Sequence, residues 1–399
     1  MIDSQGVKKS SVDWMLVLIT AVLVILGLIM QYSASSYNMS LVKKQGIFAV
    51  IGFAAMFLIG RFPVWLINKL SIPFYIFALG ITAVTSVVGK SVKGASRWIQ
   101  IGGITFQPSE LLKAVMILAL AVVICRHINE INNPPGEKFR EAPAIIRETG
   151  FGNYIHSVKG YLVCLVIVGV AAMDVILATK DLGTGIIIFG IGFLIMWVIS
   201  PRRGYLAAIG ALAAVAAGAL VAAFSYRMNR VSAWLNPEND KTDLGYQIRQ
   251  GLYAIGSGGW FGKGLGRSIQ KDVIPEPQTD MIFTVVCEEL GIIGGMIIIL
   301  LFVLMILRLR KIYHEISDLF GKITVLGVTC HIALQTIINL AVVTNLIPNT
   351  GVPLPFISYG GTSLLCLLGE LGLVLCVRRT SIDTGRMKVY DSRRIKSNI

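Results

Sequence analysis

WMLVLITAVLVILGLIM, residues 14–30, decides the fold. The run carries no charge and is longer than the roughly 7–15-residue apolar core of a secretion signal. Further apolar runs follow it, so it reads as a first membrane span that stays in the mature chain. A span needs roughly 20 mostly apolar residues. Nine more windows qualify: 46–62, 70–89, 109–126, 160–178, 183–200, 204–224, 281–307, 323–346 and 362–377. Composition agrees. Hydrophobic residues make up 55% of the 399-residue chain and charged residues 15%, whereas soluble domains hold about 25% charged residues. The surplus apolar surface must face lipid. The expected fold is an all-α polytopic membrane protein of about ten transmembrane helices.

Orientation follows from the basic residues. With both termini in the cytoplasm, 22 of the 36 Lys and Arg fall inside and 13 outside, while Lys113 lies within a span. That bias is the positive-inside pattern. Arg202–Arg203 and Arg378–Arg379, set right at span ends, mark it most clearly. The net charge of +14 is therefore mostly topology, and nucleic acid is not an expected partner. The layout reads as a cytoplasmic N-terminus at 1–13, a membrane domain at 14–377 and a basic cytoplasmic tail at 378–399. The membrane domain includes a long cytoplasmic segment at 127–159 and a large extracellular loop at 225–280. Cys125, Cys164, Cys287, Cys330, Cys366 and Cys376 all sit in or beside apolar runs and read as small buried hydrophobes.

The polar signals gather in the segments placed outside. Before the fourth span stands QPSELLK, 107–113, where Pro108 suits a first helical turn and Glu110 the positive helix end. Glu110 and Lys113 share a helix face. Trp98 reads as an interfacial anchor or a stacking surface for a sugar. Asp181 and Thr184 suit a cap for the sixth span. The loop 225–280 brings Arg227 and Arg230, then the glycine-rich stretch 256–266 around Lys263, and ends at Asp280. Glycines there let backbone approach a ligand or another helix closely. Asp280 stands beside a cation-rich loop, where it is either a helix cap or a carboxylate able to take a proton from a hydroxyl. Glu288 and Glu289 follow two turns on, and at least one is expected to face inward and pair with a cation. Residues 345–362 hold three prolines and several glycines, which forbid regular helix. Irregular backbone at this depth belongs where protein buries it or where it lines a cavity. The extracellular part, 347–361, is therefore expected to line a cavity, with Ser358 offering a polar contact. Asp174, His331, Gln335, Asn339 and Glu370, inside spans, read as interhelical hydrogen-bonding groups.

Five stretches together resemble one family. They are GASRWIQIGGITFQPSELLK at 94–113, DLGTG at 181–185, GYQIRQGLYAIGSGGWFGKGLGRS at 245–268, TDMIFTVVCEELGIIGG at 279–295 and NLIPNTGVPLPFISYGGTSLL at 345–365. In this order and spacing the chain resembles the SEDS (shape, elongation, division and sporulation) family, which includes FtsW, RodA and SpoVE. YSASSY at 32–37 leans toward its FtsW and SpoVE branches. The resemblance implies a peptidoglycan glycosyltransferase that polymerises lipid II outside the bacterial cytoplasmic membrane, in division or elongation complexes, beside a class B penicillin-binding protein. It implies Asp280 as the catalytic residue, with Glu110 and Lys113 near it. Arg97, Trp98, Glu288 and Ser358 fall in matched motifs. Lys113, Arg227 and Arg230 are candidates to stabilise the diphosphate leaving group, alongside a divalent cation such as Mg or Mn. Lys263 is a further substrate-binding candidate. Two departures stand out: Lys180 where the family usually has Pro, and Met281 where it has Phe. The segment 127–159 also looks longer than the family's. A lipid II flippase and a non-catalytic scaffold for the penicillin-binding protein are the rival readings.

Overall fold

A computed structural model describes residues 12–92, 95–101, 104–132, 151–200, 203–238 and 243–397. The basic residues at 8, 9, 93, 202 and 241, and most of the long 127–159 segment, lie outside these. Among the described residues, ten helices are long and apolar enough to cross a membrane. They are α1 (Trp14–Ala34), α2 (Met39–Ile59), α3 (Val64–Val88), α4 (Pro108–Asn132), α5 (Phe151–Ala178), α6 (Leu182–Ile199), α7 (Arg203–Ala222), α10 (Ile282–Glu315), α11 (Leu319–Val343) and α12 (Gly361–Ser397). Two shorter helices, α8 (Ser225–Leu235) and α9 (Asp243–Ser257), lie in the large loop.

Every span matches its expected window, but several boundaries move. Helix α2 begins seven residues early because Asn38 caps it by accepting from Ser40 N at 3.1 Å. Lys43 and Lys44 therefore ride on the helix rather than in a loop. Helix α3 likewise starts at Val64 and carries Pro73 inside it. The supposed tail from Arg378 continues α12 without a break to Ser397. Windows chosen by apolarity miss such turns, because a helix persists into polar sequence wherever its carbonyls still find donors.

α4 is the centre of the bundle. It packs against α3, α5, α11, α12 and α6, and every residue from Leu112 to Ile124 is buried. A helix apolar on all sides belongs in such a place. α7 is the opposite case. It touches α6 and α8, and only Leu206 among its residues is buried. Its small and apolar side chains face outward, as lipid requires. The cysteines carry free thiols, four of them buried.

The membrane domain is all-α, as expected, and one small sheet stands beside its helices. Residues in the segment before α4 form a three-stranded antiparallel sheet: β1 (Lys90–Val92), β2 (Ala95–Ile101) and β3 (Ile104–Phe106). Ile101 pairs with Ile104 across the intervening glycines. Thr362 Oγ1, at the start of α12, donates to Thr105 O at 3.0 Å and ties the sheet to the bundle. β-Branched and aromatic residues in alternation favour this ribbon, although the segment is too short for hydropathy to flag.

The glycine-rich stretch of the large loop packs on a helix. α10 breaks at Gly291, which has φ +71°. The loop docks backbone to backbone at the break: Lys263 N donates to Glu288 O at 2.9 Å, Gly264 N to Glu289 O at 3.0 Å and Ile292 N to Gly259 O at 2.9 Å. Gly262 also has positive φ, and a Cβ there would stand 2.1 Å from Glu289 O. Only glycine allows both the turn and the contact.

At the opposite end, Asp13 caps α1 by accepting from Leu16 N at 3.1 Å. Arg308 reaches the same carboxylate at 2.9 and 2.6 Å. Arg378 lies between Asp13 (3.4 Å) and Glu315 (3.1 Å). The start of α1 and the end of α10 are thus clamped by charge to α12.

Candidate active site

Asp280 immediately precedes α10, whose N-cap is Met281 and receives no side-chain cap. Thr279 Oγ1 donates to Asp280 Oδ1 at 3.1 Å. Its backbone is held from α11, where Asn339 Nδ2 donates both to Asp280 O and to Val352 O at 2.8 Å. Tyr359 N donates to Gln278 O at 2.8 Å. The irregular segment 351–359 thus fixes where Asp280 stands. Within it Gly351 has φ +69°, and a Cβ there would lie 3.9 Å from Asp280 Oδ2 and 3.7 Å from Arg97 Nη1. A carboxylate and a guanidinium flank that one glycine.

Arg97 comes from β2. Its Nε pairs with Asp181 Oδ2 at 3.2 Å. Asp181 also caps α6, accepting from Thr184 N at 3.1 Å and Thr184 Oγ1 at 2.9 Å. From α8, Arg230 Nη1 donates to Asn349 O at 3.0 Å and Arg227 Nη1 to Leu220 O at 3.3 Å. Burial draws the Arg227 guanidinium below its usual pKa. Arg97, Lys180, Arg227 and Arg230 line a cavity of about 260 Å³. Leu182, Ile186, Val221, Val231, Ile338 and Ile347 supply its apolar wall, with Asn349 and Thr350 also lining it. Four cations over an apolar wall suit an anionic group carried on a hydrocarbon chain.

Lys180 was missed as a site residue. The only signal in the sequence was that Lys stands there in place of the family's Pro. The structure gives it φ +56° and sets it on the cavity. Lys113 is placed differently from its proposed role at the leaving group. It is 1% exposed, pairs with Glu110 at 2.8 Å and donates to Gln335 Oε1 at 3.0 Å. It does not line the cavity. Gln335 Nε2 in turn donates to Pro353 O at 3.0 Å, so Glu110 and Lys113 brace the segment that holds Asp280.

Glu288 is fully buried and pairs with Lys263 at 2.6 Å. It also accepts from Ser268 Oγ and from the backbone N–H groups of Ile269 and Gln270, each at 3.2 Å. Glu289 accepts from Ser33 Oγ and Ser268 N, with Lys271 4.0 Å away. These groups fasten the large loop to α10, and Lys263 is not among the cavity's lining residues. Ser358 Oγ accepts from Leu354 N at 2.8 Å and shapes the proline-rich turn. Trp98 is half-buried on β2, opposite Lys90. Among the described residues no three His, Cys, Asp or Glu side chains converge as a metal-binding group. The cavity's positive charge comes from Lys and Arg.

Fold and site define a polytopic α-helical membrane protein that gathers its polar chemistry at one end of the bundle. The family model described as cell cycle protein, FtsW/RodA/SpoVE, matches residues 13–382. Stage V sporulation protein E of Bacillus subtilis (strain 168) is 38% identical over 94% of this chain and 99% of its own length. A probable peptidoglycan glycosyltransferase FtsW of Geobacter sp. (strain M18) is 31% identical, over 92% of this chain and 96% of its own. Among solved structures, one described as the structural coordination of polymerization and crosslinking by a peptidoglycan synthase complex aligns with TM-score 0.75 and 28% identity, covering 92% of this chain and 98% of that one. Thermus thermophilus rod shape determining protein RodA aligns with TM-score 0.65 and 26% identity, covering 92% and 97%. The chain belongs to the FtsW/RodA/SpoVE family.

Proposed function

We propose that this chain polymerises lipid II, a disaccharide-peptide on undecaprenyl diphosphate, into glycan strands with Asp280 as general base. It is a peptidoglycan glycosyltransferase of cell-wall synthesis, as its FtsW relatives are named. One observation carries the mechanism: the Asp280 carboxylate and Arg97 of the cationic cavity flank the same glycine, Gly351. The acceptor hydroxyl gives its proton to Asp280 Oδ2 as its oxygen bonds to the donor's anomeric carbon. The bond from that carbon to the diphosphate breaks, and its electron pair leaves with the lipid diphosphate. Arg97, Lys180, Arg227 and Arg230 stabilise that charge where it develops. The apolar wall takes the start of the lipid chain. Attack opposite the leaving group inverts the anomeric centre.

The positive-inside pattern supports cytoplasmic termini, which puts Asp280 at the outer face of the cytoplasmic membrane. A class B penicillin-binding protein is the proposed partner, in line with the synthase complex this chain resembles. The hydrogen bonds of Lys113 and Gln335 brace the site, which favours a transferase over a flippase. The test is polymerisation of labelled lipid II by purified protein, with and without that partner. Strands from wild type and none from Asp280→Ala would support the assignment. Strands from both would overturn it.

A further inference from the structure

α11 presents His331, Gln335 and Asn339 four residues apart on one face, all fully buried. Gln335 Oε1 receives Lys113 Nζ (3.0 Å) and lies 2.9 Å from His331 Nε2. Its Nε2 donates to Pro353 O at 3.0 Å. An ammonium only donates and a carbonyl only accepts, so these two partners fix which end of the amide is oxygen. His331 Nε2 must therefore carry a hydrogen and donate to that oxygen. On the other side of the ring, Nδ1 lies 2.8 and 3.0 Å from the two oxygens of Glu370, on α12. A neutral ring protonated at Nε2 has a bare Nδ1, and then Glu370 must carry the proton. A doubly protonated ring pairs with a carboxylate. Either way, one proton lies between Nδ1 and the carboxyl group. Losing it would set a lone pair against an anion in a dry interior.

We infer that His331 and Glu370 are positioning residues for glycosyl transfer, acting as a one-proton pair that holds Gln335. Gln335 in turn holds Lys113 against Glu110 and the 352–354 stretch against α11. Asn339, on the same face, carries that hold to Asp280. The inference rests on the polymerase reading above. Other charges facing the pair are few. α4 contributes Glu110 and Lys113, and α12 adds the Cys366 thiol. α6 has no ionisable side chain. On α10, Glu288 and Glu289 are turned to the large loop by their partners there.

The test compares wild type, His331→Ala, Glu370→Ala and Glu370→Gln in purified protein. Glutamine at 370 donates an amide N–H to the bare Nδ1 and keeps every hydrogen bond without a removable proton. The two alanine variants should lose roughly tenfold or more in kcat, with KM held within about twofold. Glu370→Gln should restore kcat. Deuterium uptake over residues 350–358 should rise in the alanine variants and return to wild type in Glu370→Gln. Wild-type kcat in both alanine variants, or no recovery of kcat in Glu370→Gln, would overturn the inference. If wild type makes no strands, the polymerase reading fails. Hydrogen exchange alone then decides the pair's hold on 350–358, and unchanged uptake in the alanine variants rejects it.

Discussion

Asp280 and the cations around it set the expectations at the scale of single residues. Asp280→Asn keeps size and the Oδ1 acceptor but cannot take a proton, so kcat should fall about 10²–10⁴-fold in a lipid II polymerisation assay. Arg227→Ala or Arg230→Ala removes one charged donor from the cavity and should weaken lipid II binding roughly tenfold, read as KM or by direct titration. The sequence exposed Asp280, Arg97, Arg227 and Arg230 because polar groups at a membrane boundary are costly unless used. It did not separate them from Lys263, Glu288 and Ser358, which stand in equally suggestive motifs but hold the loops in shape. Lys180 reads in sequence only as a departure, because nothing local says that α6, α8 and the 347–350 stretch meet beside it.

Elements respond through their joints. Gly262→Ala forces a Cβ to 2.1 Å from Glu289 O at a positive φ. The loop must then leave the break in α10, and limited proteolysis should cut within 258–272 faster than in wild type. The clamp of Asp13 with Arg308 and Arg378 gives a pH prediction. Burial works against the charged Asp13 carboxylate, but hydrogen bonds from Arg308 and Leu16 and the charges of Arg378 and Arg308 outweigh it, and the pKa is lowered. A lowered folded-state pKa adds stability above the unfolded carboxylate value of about 3.9, and that stability is lost as pH falls through the folded value. Asp13→Asn should therefore melt below wild type at neutral pH by about 3 kcal/mol, and the gap should close below about pH 4. Glycine spacing announced close backbone approach. Whether a ligand or a helix was approached was not legible, because either would impose the same demand on φ.

Topology is a property of the whole molecule, and its test is accessibility. Ile269 is 63% exposed in the large loop, and Ser317 is exposed between α10 and α11 at the other end. In a background without the native cysteines, a membrane-impermeant thiol reagent should label Ile269→Cys in intact cells and spare Ser317→Cys until the membrane is opened. The reverse result would invert the bundle and place Asp280 in the cytoplasm.

The sequence by itself determined the ten spans, their order, the irregular segment before α12 and the residues worth testing. Each of these follows from transfer free energy or backbone restriction, which sums locally along the chain. Tertiary structure alone decided which polar groups meet. Arg97 finds Asp181, Asp280 and Arg97 flank Gly351, and Lys113, Gln335, His331 and Glu370 join across three helices. Such meetings depend on how helices far apart in sequence pack, and on the cost of leaving any donor or acceptor unsatisfied in an interior without water. No local window of sequence carries that information.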